Sequence, residues 1–249
     1  DDAEQLKLIH NGWYYEPSVA EEIFRRMIEG EHERLRWLPE HWLERATVRD
    51  HRIREVQLTD RKGEAFTIAA RTFIDGTYEG DLAAAAKVPC RVGREGRQEY
   101  GEPFAGIHYM NWRTGQQMMT PDTGEPSPAI QAFCARSIFT DDPAERVPIE
   151  KPATYQEHLQ DFLPLLGDFS SGRVKGWGWG TPLPRRKYQA NGNIEALTSL
   201  NVPGASWSWP EAGRHHRERL EKFHVDHAAG LMFFLQNDPR VPDHVRKKM

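Results

Sequence analysis

The sequence predicts a mixed α/β (α+β) protein in which helices and short strands share one chain. Two stretches have helical periodicity, a third alternates in the manner of short strands, and the middle keeps neither period for long. A length of 249 residues is enough for one large domain or two modest ones with a hydrophobic core. The fold class therefore rests on how periodicity changes along the chain.

The first helix is predicted over about residues 18–36. Ser18 and Glu21 have the spacing of a capping box, in which the hydroxyl accepts from a helix amide and the acid reaches back. Because apolar residues then recur at helical intervals, the pattern favours a helix with one apolar face.

Three short antiparallel strands follow this helix, separated by turns at residues 50–51 and 62–63. A compact apolar strand over residues 71–75 comes next and ends at a glycine. A helix over residues 82–86 follows, and Asp81 can cap it. The predicted order is a strand, a glycine-containing turn and a helix.

The middle of the chain is predicted to be rich in loops. From about residue 89 to residue 201, Gly, Pro, Asn and Trp interrupt the sequence every few residues. We expect short strands and long loops there, with one helix over about residues 155–166. The last helix is predicted to start near Ser208, at a Ser-x-x-Glu phrase, and to stop at the Asn-Asp-Pro of residues 237–239.

Charge and hydropathy disfavour two classes of partner. The formal net charge of -4 arises from 33 basic and 37 acidic residues scattered through the chain, so we predict no nucleic-acid partner. No stretch approaches the roughly 20 apolar residues of a spanning helix, so we predict no membrane partner.

Cys90 and Cys134 lack C-x-x-C spacing, which disfavours a zinc knuckle but leaves one disulfide open. Neither the compartment nor the oligomeric state is predicted.

Residues 73–82 carry the most informative pattern. Glycines at a strand end remove side chains that would block a ligand, and a turn there brings backbone amides and a Thr hydroxyl to a phosphate or ribose. A short acid can accept from sugar hydroxyls. Residue types alone therefore indicate a candidate nucleotide site. The alternative, that Asp81 is an ordinary N-cap and the glycines merely turn the chain, stays open.

The run over residues 72–97 resembles the family of FAD-dependent oxidoreductases, some of whose members are labelled as polysaccharide lyases. Residues 73–84 read Phe-Ile-Asp-Gly-Thr-Tyr-Glu-Gly-Asp-Leu-Ala-Ala, similar to a phrase that follows a small β-meander in that family. The Val-Gly-Arg-Glu of residues 92–95 and the phrases at 210–212 and 234–242 resemble it as well. The resemblance covers nearly the whole chain.

This resemblance implies a partial FAD/NAD(P)-binding, Rossmann-like flavoprotein domain over residues 1–97. A β-rich substrate domain would span 98–205, and a helix within 206–249 would return to the FAD domain. The cofactor implied is FAD, bound non-covalently, with hydride transfer to it from a small-molecule or carbohydrate-like substrate. The residues expected to line the cofactor are Asp75, Gly76, Thr77, Gly80 and Asp81, with Arg94 and Glu95 behind them. No catalytic acid or base is predicted.

One family feature has no counterpart before residue 17, namely a strand and Gly-rich turn that place pyrophosphate at a helix amino terminus. We therefore expect the sequence to be an internal piece of the enzyme, with weak or no flavin retention by itself. The Gly-x-Gly-x-Gly run at residues 176–180 follows no convincing strand and precedes no helix. We interpret it as a tight aromatic β-segment.

Two further groups of polar residues have more than one interpretation. His224 and His227 are three apart on the last helix, but no third ligand is evident. We therefore predict no metal site. We expect His227 to be packed and hydrogen-bonded in the core, and the alternative is that it acts as a general acid or base near the flavin. Residues 185–187 with Asn191 and Asn193 suit a solvated loop or a site for a carboxylate or sugar hydroxyls.

Four tryptophans bear on a different function. Trp177, Trp179, Trp207 and Trp209 suit packing between a sheet and the last helix, or stacking on a sugar face. Stacking would support the alternative function, a carbohydrate-binding or polysaccharide lyase-like protein. Lyase chemistry needs a Tyr or His base beside a neutralised uronate carboxylate, and no such grouping is evident in the sequence.

Overall fold

The computed structural model describes residues 2–109, 123–177, 180–193 and 195–249. The chain divides into two compact units, Ile23–Val92 and the combination of Asp1–Glu22 with Gly93–Met249. The helices are α1 (Asp2–Leu8), α2 (Pro17–Gly30), α3 (Asp81–Ala85), α4 (Arg97–Tyr100), α5 (Tyr155–Phe162), α6 (Pro164–Ser170), α7 (Arg214–Asn237) and α8 (Asp243–Arg246). The strands are β1 (His41–Arg49), β2 (Arg52–Asp60), β3 (Ala65–Ala69), β4 (Ser137–Thr140), β5 (Thr181–Leu183) and β6 (Lys187–Ala190).

The smaller unit contains the antiparallel sheet β1-β2-β3, which confirms the three predicted strands. Asp50 and His51 have φ of 52° and 58°, because a two-residue hairpin of type I′ needs positive φ at both positions. At the next turn the Asp60 carboxylate accepts from the amides of Lys62 and Glu64, each at 2.8 Å. These turns fix the meander that precedes the candidate site.

Little apolar surface is buried among the described residues of this unit. Val56 is 7% exposed, whereas Phe24, Ile74 and Tyr78 are 64%, 88% and 104% exposed. Strand register and turn hydrogen bonds, rather than a packed core, therefore define the smaller unit.

Three sequence predictions for this part of the chain are wrong, namely the N-cap at Ser18, the helix end near residue 36 and the strand over residues 71–75. Helix α2 begins at Pro17, so Ser18 lies inside its first turn and is not the N-cap, and proline suits that position because its missing N–H has no helical partner there. The helix ends at Gly30, whose helix propensity is low, rather than near residue 36. Residues 72–77 form no strand, because no strand of the described residues pairs with them.

The core of the larger unit lies around α7, which packs against α5 and α8. Phe162, Leu231 and Phe234 are fully buried there. A Cβ added at Gly230 would lie 3.1 and 3.2 Å from two ring atoms of Phe162, so the glycine allows α5 and α7 to approach closely. The predicted helix over 155–166 is divided into α5 and α6 at Pro164, since proline has no N–H for the helix ladder.

Helix α7 begins at Arg214, not near Ser208 as predicted. The residues before it form turns, and the carbonyls of Trp209 and Pro210 accept from the Arg217 guanidinium at 3.0 and 2.8 Å. The Arg217 side chain thus donates hydrogen bonds to two carbonyls that would accept from backbone amides if the helix began earlier.

The second sheet, in the order β4-β6-β5, is also antiparallel and belongs to the larger unit. Helices mixed with small antiparallel sheets agree with the predicted α+β class. The Rossmann-like character and the domain boundaries at residues 97 and 205 stay predictions. Among the helices that the structure describes, none is long and apolar enough to cross a membrane.

Candidate functional site

The candidate site is the bend of residues 75–81, between the meander and α3. The Asp75 carboxylate organises it from within. Its Oδ1 accepts from the Thr77 amide at 3.0 Å and from the Thr77 hydroxyl at 2.7 Å. Its Oδ2 accepts from the Ala83 amide at 2.9 Å. One side chain therefore ties the start of the bend to the first turn of α3.

The first backbone amides of α3 donate hydrogen bonds to the side chains of Asp75 and Thr77. Thr77 Oγ1 accepts from the Asp81 amide at 2.8 Å, and Asp75 takes the amide of Ala83. Gly80 is the N-cap residue, with φ of 73°, a left-handed conformation that glycine adopts without strain. The prediction that Asp81 caps the helix is wrong, because Asp81 already lies in the first turn of α3. The N-cap residue is Gly80, which has no side chain to make a capping hydrogen bond. Asp75, six residues before Asp81 in the sequence, performs that task.

The outer side of the bend is open. A Cβ added at Gly76 or Gly80 would have no atom within 4 Å. Among the hydrogen bonds of the described residues, none uses the amide of Gly76 or Tyr78. Main chain at Gly76 is therefore accessible to a ligand, and the neighbouring side chains of Ile74 and Tyr78 are highly exposed.

Negative charge dominates the bend, since Asp75, Glu79 and Asp81 lie in it without a Lys or Arg. The Thr77 hydroxyl and the amides of Ala83 and Thr77 donate to Asp75 and hold its pKa below the ordinary value. Asp75 is therefore ionised at neutral pH, and hydroxyl groups of a ligand suit this surface better than phosphate oxygens.

A basic groove of about 660 Å³ borders the same segment. It is lined by residues 51–54 of β2 and its turn and by residues 70–73, which lead directly into the bend. Arg52, Arg54 and Arg71 supply positive charge there, although Arg54 also pairs with Asp50 at 3.3 Å. The positive charge of Arg71 thus lies four residues before Asp75, the first residue of the acidic bend.

Arg94 and Glu95, expected behind the bend, belong to the larger unit. The backbone of Arg94 exchanges two hydrogen bonds with Ser127, at 2.7 and 3.1 Å. Gly93 allows this approach, since its φ is 92° and an added Cβ would lie 2.3 Å from the Ser127 carbonyl oxygen. A role of Arg94 and Glu95 in cofactor binding stays a prediction.

A model of the family described as FAD dependent oxidoreductase matches residues 2–244, which include the whole bend. The chain belongs to this family. FAD is accordingly the cofactor, and oxidoreductase chemistry is the general activity. Comparisons with curated proteins and with solved structures found no significant match.

Residues 185–187, with Asn191 and Asn193, have two interpretations from the sequence, a solvated loop or a site for a carboxylate or sugar hydroxyls. Arg186 instead donates from Nε to Asp141 Oδ1 at 2.6 Å, and Lys187 pairs with Glu16 at 2.8 Å. The Asn191 amide oxygen accepts from the Cys134 thiol at 2.8 Å. These side chains pair with other residues of the larger unit, and these contacts give no support to a site for a carboxylate or sugar hydroxyls.

The tryptophans give little support to sugar binding. Trp177 is 1% exposed and belongs to the core, which agrees with the packing interpretation. Trp209 packs edge-on against Phe133 at a centroid distance of 5.1 Å, while Trp207 is 44% exposed. Trp179 and Gly178 lie outside the described residues, so the aromatic β-segment over 176–180 stays a prediction.

The cysteines show no redox arrangement. Cys90 and Cys134 are free thiols, so no disulfide joins them. Burial raises the pKa of the Cys134 thiol, which keeps it protonated. A thiol in that state is a weak nucleophile.

His224 and His227 of α7 are buried, as predicted for His227. Desolvation lowers the pKa of both His224 and His227, so both rings are neutral at pH 7. His227 Nε2 lies 2.9 Å from the Ser199 carbonyl oxygen. His227 forms a cluster of possible metal ligands with His158 and Asp161 of α5, and His224 is not part of that cluster. The three-residue spacing of His158 and Asp161 on a predicted helix is the sequence signal that could have identified these two residues.

Proposed function

We propose that the protein is an FAD-dependent oxidoreductase that binds a hydroxyl-bearing part of its cofactor at the bend of residues 75–81. The open main chain at Gly76 is the observation that carries this proposal. In the bound enzyme the flavin would accept a hydride from a small-molecule or carbohydrate-like substrate.

The chemistry of the bend supports contact with ribose or ribityl hydroxyls more than with phosphate. The amides that would attract phosphate at the start of α3 already donate to Asp75 and Thr77. Carboxylates only accept when ionised, and they pair with hydroxyl donors. We assign Asp75 and Thr77 to holding the bend, Gly76 and Gly80 to leaving it open, and Asp81 to accepting from a sugar hydroxyl.

The basic groove beside the bend would raise the local concentration of a cofactor that carries two phosphates. Arg52 and Arg71 act in this proposal through long-range attraction, which accelerates association and weakens with salt. The positive charge of the groove would thus offset the repulsion between the acidic bend and the two phosphates of the cofactor.

A steric test follows from the open space at Gly76. Gly76→Val adds a branched side chain at a position with no neighbouring atom and no positive φ, so the variant should fold normally. FAD is titrated into the purified protein, and its fluorescence reports binding even when affinity is low. We expect Gly76→Val to weaken FAD affinity by more than about tenfold, equivalent to about 1.4 kcal/mol.

The matched control is Gly30→Val, the same change at another open glycine of the smaller unit. It should leave FAD affinity within about twofold. Equal FAD affinity in wild type and Gly76→Val would refute the proposed site. For the reaction, anaerobic addition of alcohols, hydroxy acids and sugars to the FAD complex should bleach the visible flavin absorbance with at least one class.

A further inference from the structure

A cluster of two buried histidines and one exposed aspartate lies between α5 and α7 of the larger unit. It consists of His158, Asp161 and His227, whose potential ligand atoms all lie within 4.8 Å of one another. His158 and Asp161 are three residues apart on α5, so they share one helix face. Helix α7 supplies His227 from the opposite side.

The orientation of His227 is the decisive detail. Its Nε2 lies 2.9 Å from the Ser199 carbonyl oxygen, and a carbonyl can only accept, so Nε2 carries the proton. The Nδ1 of the neutral ring then presents a lone pair. This atom is buried and has no hydrogen-bond partner among the described residues, while the residue as a whole is 3% exposed. A buried lone pair of this kind needs an explanation.

Histidines that bind metals have this same arrangement. The nitrogen that does not bind the ion usually donates to a carboxylate or a backbone carbonyl, which fixes the tautomer and the ring orientation. Ring packing alone explains why His227 is buried beside Phe162, at a centroid distance of 5.3 Å. It does not explain why the buried Nδ1 of this ring has no hydrogen-bond partner although a second histidine and an acid lie close by.

The carbonyl that orients His227 is itself held in place. The loop that carries Ser199 is anchored by Asp168, which accepts from the Leu197 amide at 2.7 Å. The Ser199 hydroxyl oxygen accepts from the Asn193 amide at 2.9 Å. Next to it, the Thr198 hydroxyl donates to the backbone carbonyl of Asp161. One loop therefore positions residues on both sides of the cluster.

The spacing and access suit an ion. His158 Nδ1 and Asp161 Oδ2 are 3.7 Å apart, close to the roughly 3.3 Å between ligand atoms of a tetrahedral site with bonds of about 2.0 Å. The His158 side chain is 7% exposed and that of Asp161 is 58% exposed, so solvent reaches the cluster from the carboxylate.

We propose that His158, Asp161 and His227 bind a divalent transition-metal ion of the zinc class, with solvent in the fourth position. Two imidazoles and one carboxylate form a donor set that suits such ions. The ion would link α5, α7 and the loop of Ser199. This proposal differs from the expectation from sequence that the chain has no metal site.

The test uses the full chain without a polyhistidine tag, freed of metal with a chelator and then titrated with Co²⁺ or Zn²⁺ alone. We expect one ion per chain, a visible absorption spectrum of four- or five-coordinate cobalt, and zinc X-ray absorption with nitrogen and oxygen ligands at about 2.0 Å. Asp161→Asn changes an exposed side chain and should preserve folding, yet weaken Co²⁺ affinity by more than about tenfold.

His227→Gln should have a similar effect on affinity. The control is His215→Gln, which changes a histidine of the same helix whose side chain is 85% exposed. It should leave the site unaffected. Failure to bind one ion per chain would overturn the proposal, and so would binding that Asp161→Asn leaves intact. If His227→Gln does not fold, Asp161→Asn and the ligand distances decide the matter.

Discussion

Replacing Asp75 with alanine removes the side chain that organises the bend. The variant loses three hydrogen bonds, to the Thr77 amide, the Thr77 hydroxyl and the Ala83 amide. Loss of a helix cap costs about 0.5–2 kcal/mol, and the exposed bonds to Thr77 add little more. We expect the bend to open more easily by about 1–2 kcal/mol, which is a factor of roughly 5–30.

Fast hydrogen exchange followed by mass spectrometry measures this opening at the amides of Asp81 and Ala83. We expect both to exchange about 5–30 times faster in Asp75→Ala, and FAD affinity to fall by a similar factor. The matched control is Asp60→Ala, because Asp60 also accepts from two backbone amides and lies in the same unit. It should speed exchange at its own turn and leave FAD affinity unchanged.

The pH dependence of the bend gives an independent check on the same carboxylate. The pKa of Asp75 is lowered in the folded chain, so its stabilising contribution is complete above the unfolded value of about 3.9. That contribution is lost as the pH falls through the lowered pKa, where wild type and Asp75→Ala should converge. Equal exchange at Asp81 and Ala83 in the two proteins at neutral pH would contradict the assignment of Asp75 as the residue that holds the bend.

The remaining predictions concern glycines of the larger unit. Gly230→Val should destabilise the unit by more than about 2 kcal/mol in urea unfolding, because its side chain would overlap the ring of Phe162. Gly167→Ala, at an open helical position of α6, should instead stabilise it by about 0.5–1 kcal/mol, and the opposite order would contradict the packing of α5 on α7. Gly93→Ala should destabilise by about 1–3 kcal/mol, since φ is 92° and backbone lies close to its Cβ position, and an unchanged melting temperature would contradict that geometry.

Elements set by local signals could be predicted from the sequence. The meander follows from period-two alternation and from turns rich in Asp, His, Lys and Gly, and all three strands are present. α3 and α5 also overlap the helices predicted over residues 82–86 and 155–166. Helix ends were less predictable, because the Ser-x-x-Glu phrases at Ser18 and Ser208 fit a capping box although neither residue caps a helix.

The details of the site depended on contacts that sequence spacing does not show. Residue types indicated a turn suited to a nucleotide. They did not indicate that the Asp75 carboxylate would cap α3 by accepting from the amide of Ala83, eight residues later in the sequence. A strand over 71–75 was expected from its apolar residues, yet a strand also needs a partner. The cluster at His227 was missed because its partners are contributed by a different helix about 70 residues earlier.

A crystal structure of the protein with FAD would test the central claim most directly. It should show a ribose or ribityl hydroxyl of the cofactor within hydrogen-bond distance of the main chain at Gly76 or of the Asp81 carboxylate. Cofactor density bound elsewhere, with no FAD atom in contact with residues 75–81, would contradict the assignment of this bend as the flavin site.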